Sequence, residues 1–264
     1  MSESPMDEGR THMRVHGAVA HITFDRPRAR NAMTWRMYEE LAESCALIAA
    51  RASDIRVAVF RGAGGKAFVA GTDIEQFKVF ASGRDGIAYE EKVNRYVEAV
   101  ETLPVPTIAM VEGWAVGGGL ALANACDIRL ATPGARFGVP IAATLGNCLS
   151  AANIRRLSAR LGESWVRRML LLAEMPPAEQ LAASGYVAAI VEPDAVDSHI
   201  AALCEKLARH APLTIQATKE MFRRLAFDAD PDDSDLVETV YGSADFREGV
   251  AAFTGKRAPA WKGF

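Results

Sequence analysis

The sequence contains no C-x-x-C pair and no H-E-x-x-H motif. Its four cysteines, Cys45, Cys126, Cys148 and Cys204, stand far apart, which argues against a zinc cluster or a disulfide scaffold. The five histidines, His12, His16, His21, His199 and His210, show no ligand spacing and read as surface or core residues, so no metal site is expected. No apolar run is long enough to span a bilayer, so no membrane partner is expected. A net charge of -3 gives no basic footprint for nucleic acid. The stretch MSESPMDEGRTHM is polar and acidic and is followed by no apolar segment. It reads as a disordered tail over residues 1–13 rather than as a signal peptide. The compartment expected on these grounds is the cytoplasm. There is no tandem repeat and no low-complexity block.

Half of the 264 residues are hydrophobic, enough to build a sizeable core. VHGAVAHITF reads as a strand hairpin turning near Gly17. RPRARNAM reads as a loop in which Pro27 blocks helix continuation, and Asn31 or Thr34 can cap the helix that TWRMYEELAESCALIAA predicts by its spacing. IRVAVFRG, TIAMVEG and DIRLAT are short and nearly all apolar, as strands buried on both faces are. Helices are predicted between them: Ile74 to Phe80, Ile87 to Leu103, and one after Gly117. This alternation predicts an α/β fold of βα units with right-handed crossovers. Beyond Ser150 the pattern is mostly helical, with one further strand in YVAAIVE. Helices are predicted over Asp194 to His210, Thr214 to Phe227 and Asp235 to Phe253.

Two glycine-rich stretches invite a nucleotide-loop reading, and both fail it. From Gly117 the third glycine of G-x-G-x-x-G is replaced by Leu122. In RGAGGKAFVAG the residue after Lys66 is Ala67, where a phosphate loop needs Ser or Thr. A different feature unites them. Each loop follows a buried strand and runs straight into a helix, through FVAGTDI in one case and EGWAVGGGLALA in the other. Amides at helix starts lack intrahelical partners and carry positive partial charge. Two such amides converging from different loops would bind an oxyanion. The same glycines could equally serve only tight helix–strand packing.

At this point the chain resembles the crotonase superfamily, the enoyl-CoA hydratase/isomerase family. The resemblance runs through ITFDRPRARNAMT, VFRGAGGKAFVAGTDIEQF, PTIAMVEGWAVGGGLALANACDIRLAT and ARFGVP. It returns in FREGVAAFTGKRAP near the C-terminus. It implies a spiral of repeated ββα units over residues 14–200. A helical region over 201–264 would be used to form a trimer or a dimer of trimers. It also implies an acyl-CoA thioester substrate and an enolate-like intermediate, with coenzyme A arriving as part of the substrate and no permanently bound cofactor. The resemblance puts the oxyanion donors at the backbone amides of Thr72 and Gly118. It nominates Arg28, Ala29, Ala70, Asp73, Ile74, Gly117, Pro140, Phe253 and Lys256 as coenzyme A contacts, the last two reaching a neighbouring subunit's ligand.

The resemblance also exposes a departure. Hydratases of the family position a water with two glutamates. The matching positions here are Ala121 and Ile141, which can neither hold a water nor carry a proton. The segment Ile141 to Asn153 is one residue longer than the hydratase pattern and offers no carboxylate. Thr144, Asn147 and Cys148 are polar enough to line a site, with Cys148 read as a buried inert thiol before a nucleophile. Tyr89 lies on a helix that borders the acyl pocket in the family. Glu112 is expected to cap a loop and Asp127 to brace a turn. The expected function is therefore an acyl-CoA enzyme in which ordinary enoyl hydration is impaired. A non-catalytic acyl-CoA binder, a decarboxylase and a thioesterase of the same fold are the alternatives.

Overall fold

In the computed structural model, which describes residues 8–228 and 231–264, the alternating stretch around Gly17 forms an antiparallel hairpin. Strand β1 (Arg10–His16) pairs with β2 (Val19–Asp25), and Arg10 lies opposite Asp25. The expected tail is thereby corrected. Residues 10–13 are strand, because Thr11 and Met13 pair across to Phe24 and Ile22. Residues 1–7 of that expected tail lie outside the described residues.

Helix α1 (Trp35–Ala50) starts at Thr34, whose hydroxyl accepts from the Met37 amide. It buries Met37, Tyr38, Leu41, Cys45 and Ile48, the helical spacing seen in the sequence. Asn31 is not the cap. Its buried side chain instead holds the Arg26 amide and the Ala63 and Ala67 carbonyls.

Three strand–turn–strand steps follow. Strand β3 (Val57–Gly62) leads to β4 (Ala67–Val69), and α2 (Gly83–Glu101) comes after. Strand β5 (Thr107–Val111) leads to β6 (Trp114–Val116) and then α3 (Gly118–Ala125). Strand β7 (Ile128–Ala131) leads to β8 (Arg136–Gly138), followed by α4 (Ala151–Leu161), α5 (Glu163–Leu171) and α6 (Ala178–Ala183). The longer strands and β9 (Ala189–Ile190) make one sheet in the order β1-β2-β3-β5-β7-β9, parallel after the first pair. The short ones make a second, parallel sheet, β4-β6-β8. Two stretches expected as loops, GAGGKAFVAG and EGWAVGGG, therefore contain strands. Three residues are too few to show a period of two.

The predicted helix at Ile74 to Phe80 is only a four-residue 3-10 turn, Ile74–Phe77, started by Asp73. Helix α7 (Val196–Ala208) crosses the boundary expected at residue 200. Its Val196, Ile200 and Cys204 pack on Val57, Val59, Ile108 and Met110 of the large sheet. The remaining helices are α8 (Pro212–Phe227), α9 (Ser234–Gly242) and α10 (Ala244–Thr254). The last two were expected as one. The break comes at Ser243, which is extended and whose hydroxyl accepts from the Phe246 amide to begin a new helix. No helix among the described residues is long and apolar enough to cross a membrane.

Candidate active site

The two loops singled out in the sequence meet. The segment after β4 is fixed by Met33, whose amide donates to the Gly71 carbonyl and whose carbonyl accepts from the Asp73 amide, both at 2.9 Å. This edge pairing turns the Thr72 amide the other way. The segment after β6 is fixed by the Gly117 amide, which donates to the Gly138 carbonyl at 2.9 Å. Among the described residues, no acceptor bonds the amides of Thr72 or Gly118. Gly118 is the first residue of α3, so its amide carries the positive end of that helix.

The glycine triplet divides its labour. Gly117 takes φ 54° and ψ -118°, a backbone state closed to other residues at little cost. A Cβ on Gly119 would fall 1.9 Å from the Val69 carbonyl oxygen, so that position serves packing against β4. A Cβ on Gly118 would stand 2.8 Å from the Tyr38 hydroxyl and 3.9 Å from the Thr72 amide nitrogen. The start of α3 at Gly118 and the segment at Thr72 thus lie side by side.

They border a cavity of about 400 Å³. Ala70, Thr72 and Ile74 line it from the first loop, and Gly117, Gly118 and Ala121 from the second. Pro140, Ile141, Thr144 and Asn147 line it from the segment after β8. Tyr89 enters from α2, and the Thr144 hydroxyl is turned back onto the Pro140 carbonyl. Ala121 and Ile141 present only hydrocarbon to the cavity. Cys148 does not line it. That cysteine is exposed, not buried as expected, because the segment around it lies on the surface.

The structure adds two residues that the sequence reading missed. Glu90, one position after Tyr89 on α2, and Asn153, on α4, both line the cavity. Glu90 accepts from the Ser150 amide at 2.8 Å, and burial raises its pKa above the usual carboxylate value. Asn153 is only 2% exposed, and its Oδ1 has no hydrogen-bond partner among the described residues. The register of α2 carried the signal for Glu90. Tyr89, Glu90 and Val93 fall on one helical face, and only Tyr89 was drawn from it.

Thr72 also does more than offer an amide. Its hydroxyl lies 2.9 Å from that of Tyr38 and 2.8 Å from that of Tyr89, in a three-membered chain. Burial lifts the Tyr38 hydroxyl well above its ordinary pKa and the Tyr89 hydroxyl to about 12, so both remain neutral donors. Thr72→Val keeps the shape and deletes the central hydroxyl, leaving the buried Tyr38 without its partner. It is expected to cost about 1–3 kcal/mol of unfolding free energy, with Thr72→Ser close to the parent. Urea unfolding reads both, and equal midpoints for Thr72→Val and the parent would refute the role of the chain.

The nominated coenzyme A contacts are partly brought together. Arg28 and Ala29 lie on an exposed 3-10 turn whose following residue, Arg30, accepts from the Ala70 amide. The Asp73 carboxylate is engaged internally, with Arg26 Nη1 at 2.8 Å and the Glu75 amide at 3.2 Å. Phe253 and Lys256 are not in this cavity. Phe253 is 87% exposed and lies beside Trp261 and Thr214 in a separate hollow. Of the outlying acids, Glu112 pairs with Arg61, and Asp127 braces the start of β5 through the Thr107 amide and hydroxyl, both at 2.8 Å. Among the described residues no group of three or more His, Cys, Asp or Glu is placed to hold a metal ion.

Set beside known proteins, residues 14–263 match the family described as Enoyl-CoA hydratase/isomerase. The chain is 33% identical over 264 residues to an (E)-benzylidenesuccinyl-CoA hydratase of Thauera aromatica, covering 95% of this chain and 98% of that one. It is 32% identical over 250 residues to a 2,3-dehydroadipyl-CoA hydratase of Escherichia coli, with 93% and 95% covered. Among solved structures, an enoyl-CoA hydratase/carnithine racemase from Magnetospirillum magneticum is similar with a TM-score of 0.87. Its identity is 32%, over 98% of each chain.

Proposed function

The chain belongs to the enoyl-CoA hydratase/isomerase family, and from that premise we propose that it holds a CoA thioester with the carbonyl oxygen between the amides of Thr72 and Gly118. It is an acyl-CoA-processing enzyme of that family. The observation that carries the finer reading is the pair of unpartnered amides facing one cavity beside Gly118. Negative charge developing on the thioester oxygen would be stabilised there, by about 3 kcal/mol for each donor. The thioester enolate is the intermediate this arrangement favours. Coenzyme A would run past Arg28, Ala29 and Ala70, with Asp73 bracing that path through Arg26 and Phe253 and Lys256 supplied by a neighbouring subunit. The exposed apolar side chains of Phe222, Leu225, Val250 and Phe253 support assembly through the C-terminal helices, as a trimer or a dimer of trimers.

Ala121 and Ile141 occupy the positions where hydratases of the family carry glutamates, and both are hydrocarbon. Ordinary hydration of crotonyl-CoA is therefore expected to be weak or absent. The test is a panel of acyl-CoA thioesters read by mass spectrometry for gain or loss of water, loss of carbon dioxide and release of free CoA. Chromatography of the same samples reads isomers. Crotonyl-CoA turnover of about 10–10³ per second would overturn the expectation. Tight binding of every thioester without product would favour a non-catalytic binder. In the same preparation, sedimentation is expected to give a trimer or twice a trimer, and a monomer would refute the assembly.

A further inference from the structure

Ala121 and Ile141 leave the cavity without a hydratase's two glutamates, yet one carboxylate does line it. Glu90 reaches it from α2, and it is the sole carboxylate among the lining residues. It stands on neither of the segments that carry residues 121 and 141. Its position is fixed from α4. The Ser150 amide donates to Glu90 Oε2 at 2.8 Å. Ser150 is itself held, since it caps α4 and its hydroxyl lies 3.0 Å from Asn94 Oδ1, one turn further along α2. A carboxylate has about four lone-pair sites, so a bond that orients Glu90 leaves it able to take a proton. Glu90 is only partly buried, whereas the Asn153 oxygen in the same wall is closed off. Of the two, Glu90 is the one a ligand can meet.

The carboxylate is also near the oxyanion donors. Its charge is felt at the Tyr38 and Tyr89 hydroxyls, where it disfavours a second negative charge. Both hydroxyls bond Thr72 Oγ1, and that of Tyr38 would stand 2.8 Å from a Cβ on Gly118. Burial raises the pKa of Glu90, and no neighbouring cation lowers it, which makes it a stronger base than a surface carboxylate. The tyrosines stay neutral and do not compete for that role.

We infer that Glu90 is the proton-transferring residue of this site, taking a proton from C2 of a bound acyl-CoA thioester. The inference rests on the acyl-CoA reading. Glu90 accepts the proton, and the C–H electron pair becomes the C1–C2 double bond of the enolate. The carbonyl pair moves onto the thioester oxygen, which the amides of Thr72 and Gly118 hold. The charge then flows back, and Glu90 returns the proton to C2 or, in a β,γ-unsaturated chain, to C4. Adding water would need a second group to position it, and the hydrocarbon at 121 and 141 supplies none. The lone carboxylate therefore favours moving a proton along the acyl chain over hydrating it.

Isotope exchange tests this. The full chain is incubated with 3-butenoyl-CoA in deuterium oxide, and mass spectrometry reads deuterium entering the acyl group against a protein-free blank. Calorimetry with butyryl-CoA reads affinity separately. The parent is expected to exceed the blank. Glu90→Gln, which keeps an acceptor for the Ser150 amide, is expected to slow exchange by about 10²-fold or more while butyryl-CoA affinity changes less than severalfold. Glu90→Asp draws the carboxylate back by one methylene and is expected to slow exchange by about tenfold or more. It decides the matter should Glu90→Gln fail to fold. Parental exchange in either variant would overturn the role of Glu90, as would a loss of exchange matched by an equal loss of affinity. Binding of butyryl-CoA with no exchange above the blank would overturn it too and leave the acyl-CoA reading standing. No binding of butyryl-CoA or 3-butenoyl-CoA would sink that reading, and the role of Glu90 with it.

Discussion

Gly118→Ala is expected to lower turnover of whichever acyl-CoA the protein uses by about 10²–10³. The added methyl would stand 2.8 Å from the Tyr38 hydroxyl, 3.4 Å from Thr72 Oγ1 and 3.9 Å from the Thr72 amide nitrogen. It would crowd the space beside Gly118 in which we propose the carbonyl oxygen lies. The backbone itself tolerates alanine there, because Gly118 is not among the residues with positive φ. The variant should therefore fold, with a modest loss of stability from crowding Tyr38. Its neighbour supplies the contrast. Gly119→Ala places a methyl 1.9 Å from the Val69 carbonyl oxygen, and neither backbone can yield without shifting α3 or β4. That variant is expected to lose stability first. Steady-state kinetics on the best substrate, or thioester affinity if none turns over, reads the first variant. Thermal unfolding reads the second. A Gly118→Ala protein with parental kinetics and affinity would refute the placement of the carbonyl.

Removing Glu101 is expected to have the largest effect on stability. Its side chain is 3% exposed, and Arg156 opposite is 7% exposed, with Nε 2.8 Å from Oε2. Arg160 Nη2 reaches the other oxygen at 3.2 Å. Arg156 Nη1 also donates to Asn94 Oδ1 at 3.4 Å. These bonds clamp α2 to α4, the two helices that bring Glu90 and Asn153 to one cavity. Glu101→Leu would leave the guanidinium of Arg156 buried without its carboxylate, a loss of about 3–5 kcal/mol. The double replacement Glu101→Leu with Arg156→Leu is expected to be less damaging than the sum of the single ones, since it removes the stranded charge. Urea unfolding of the four proteins closes the cycle. Additive losses would mean that the pair is not coupled.

Much of the fold was legible because it is written in local pattern. Strands β3, β5 and β7 of the large sheet are nearly all apolar, β1 and β2 alternate, and α1 repeats its buried residues at helical spacing. The second sheet was not legible, since its strands are three residues long and their pairing is set by the longer strands before them. The end of the tail was misread for a related reason. Residues 10–13 are polar in part, and only their pairing with β2 makes them strand. The break at Ser243 is a capping event between two helices whose apolar spacing runs on across it.

The candidate site divides in the same way. The sequence alone determined the two loops, the glycine triplet and the apolar residues at 121 and 141, because each is a matter of which residue follows which. It could not say that Gly119 serves packing while Gly118 faces the cavity, since that depends on what lies across from each. Nor could it join Glu90 to Asn153. They are 63 positions apart in the chain, and no spacing rule connects residues on different helices. Only the packing of α2 against α4 brings Glu90 and Asn153 to one cavity, because burial and neighbourhood are properties of a folded surface.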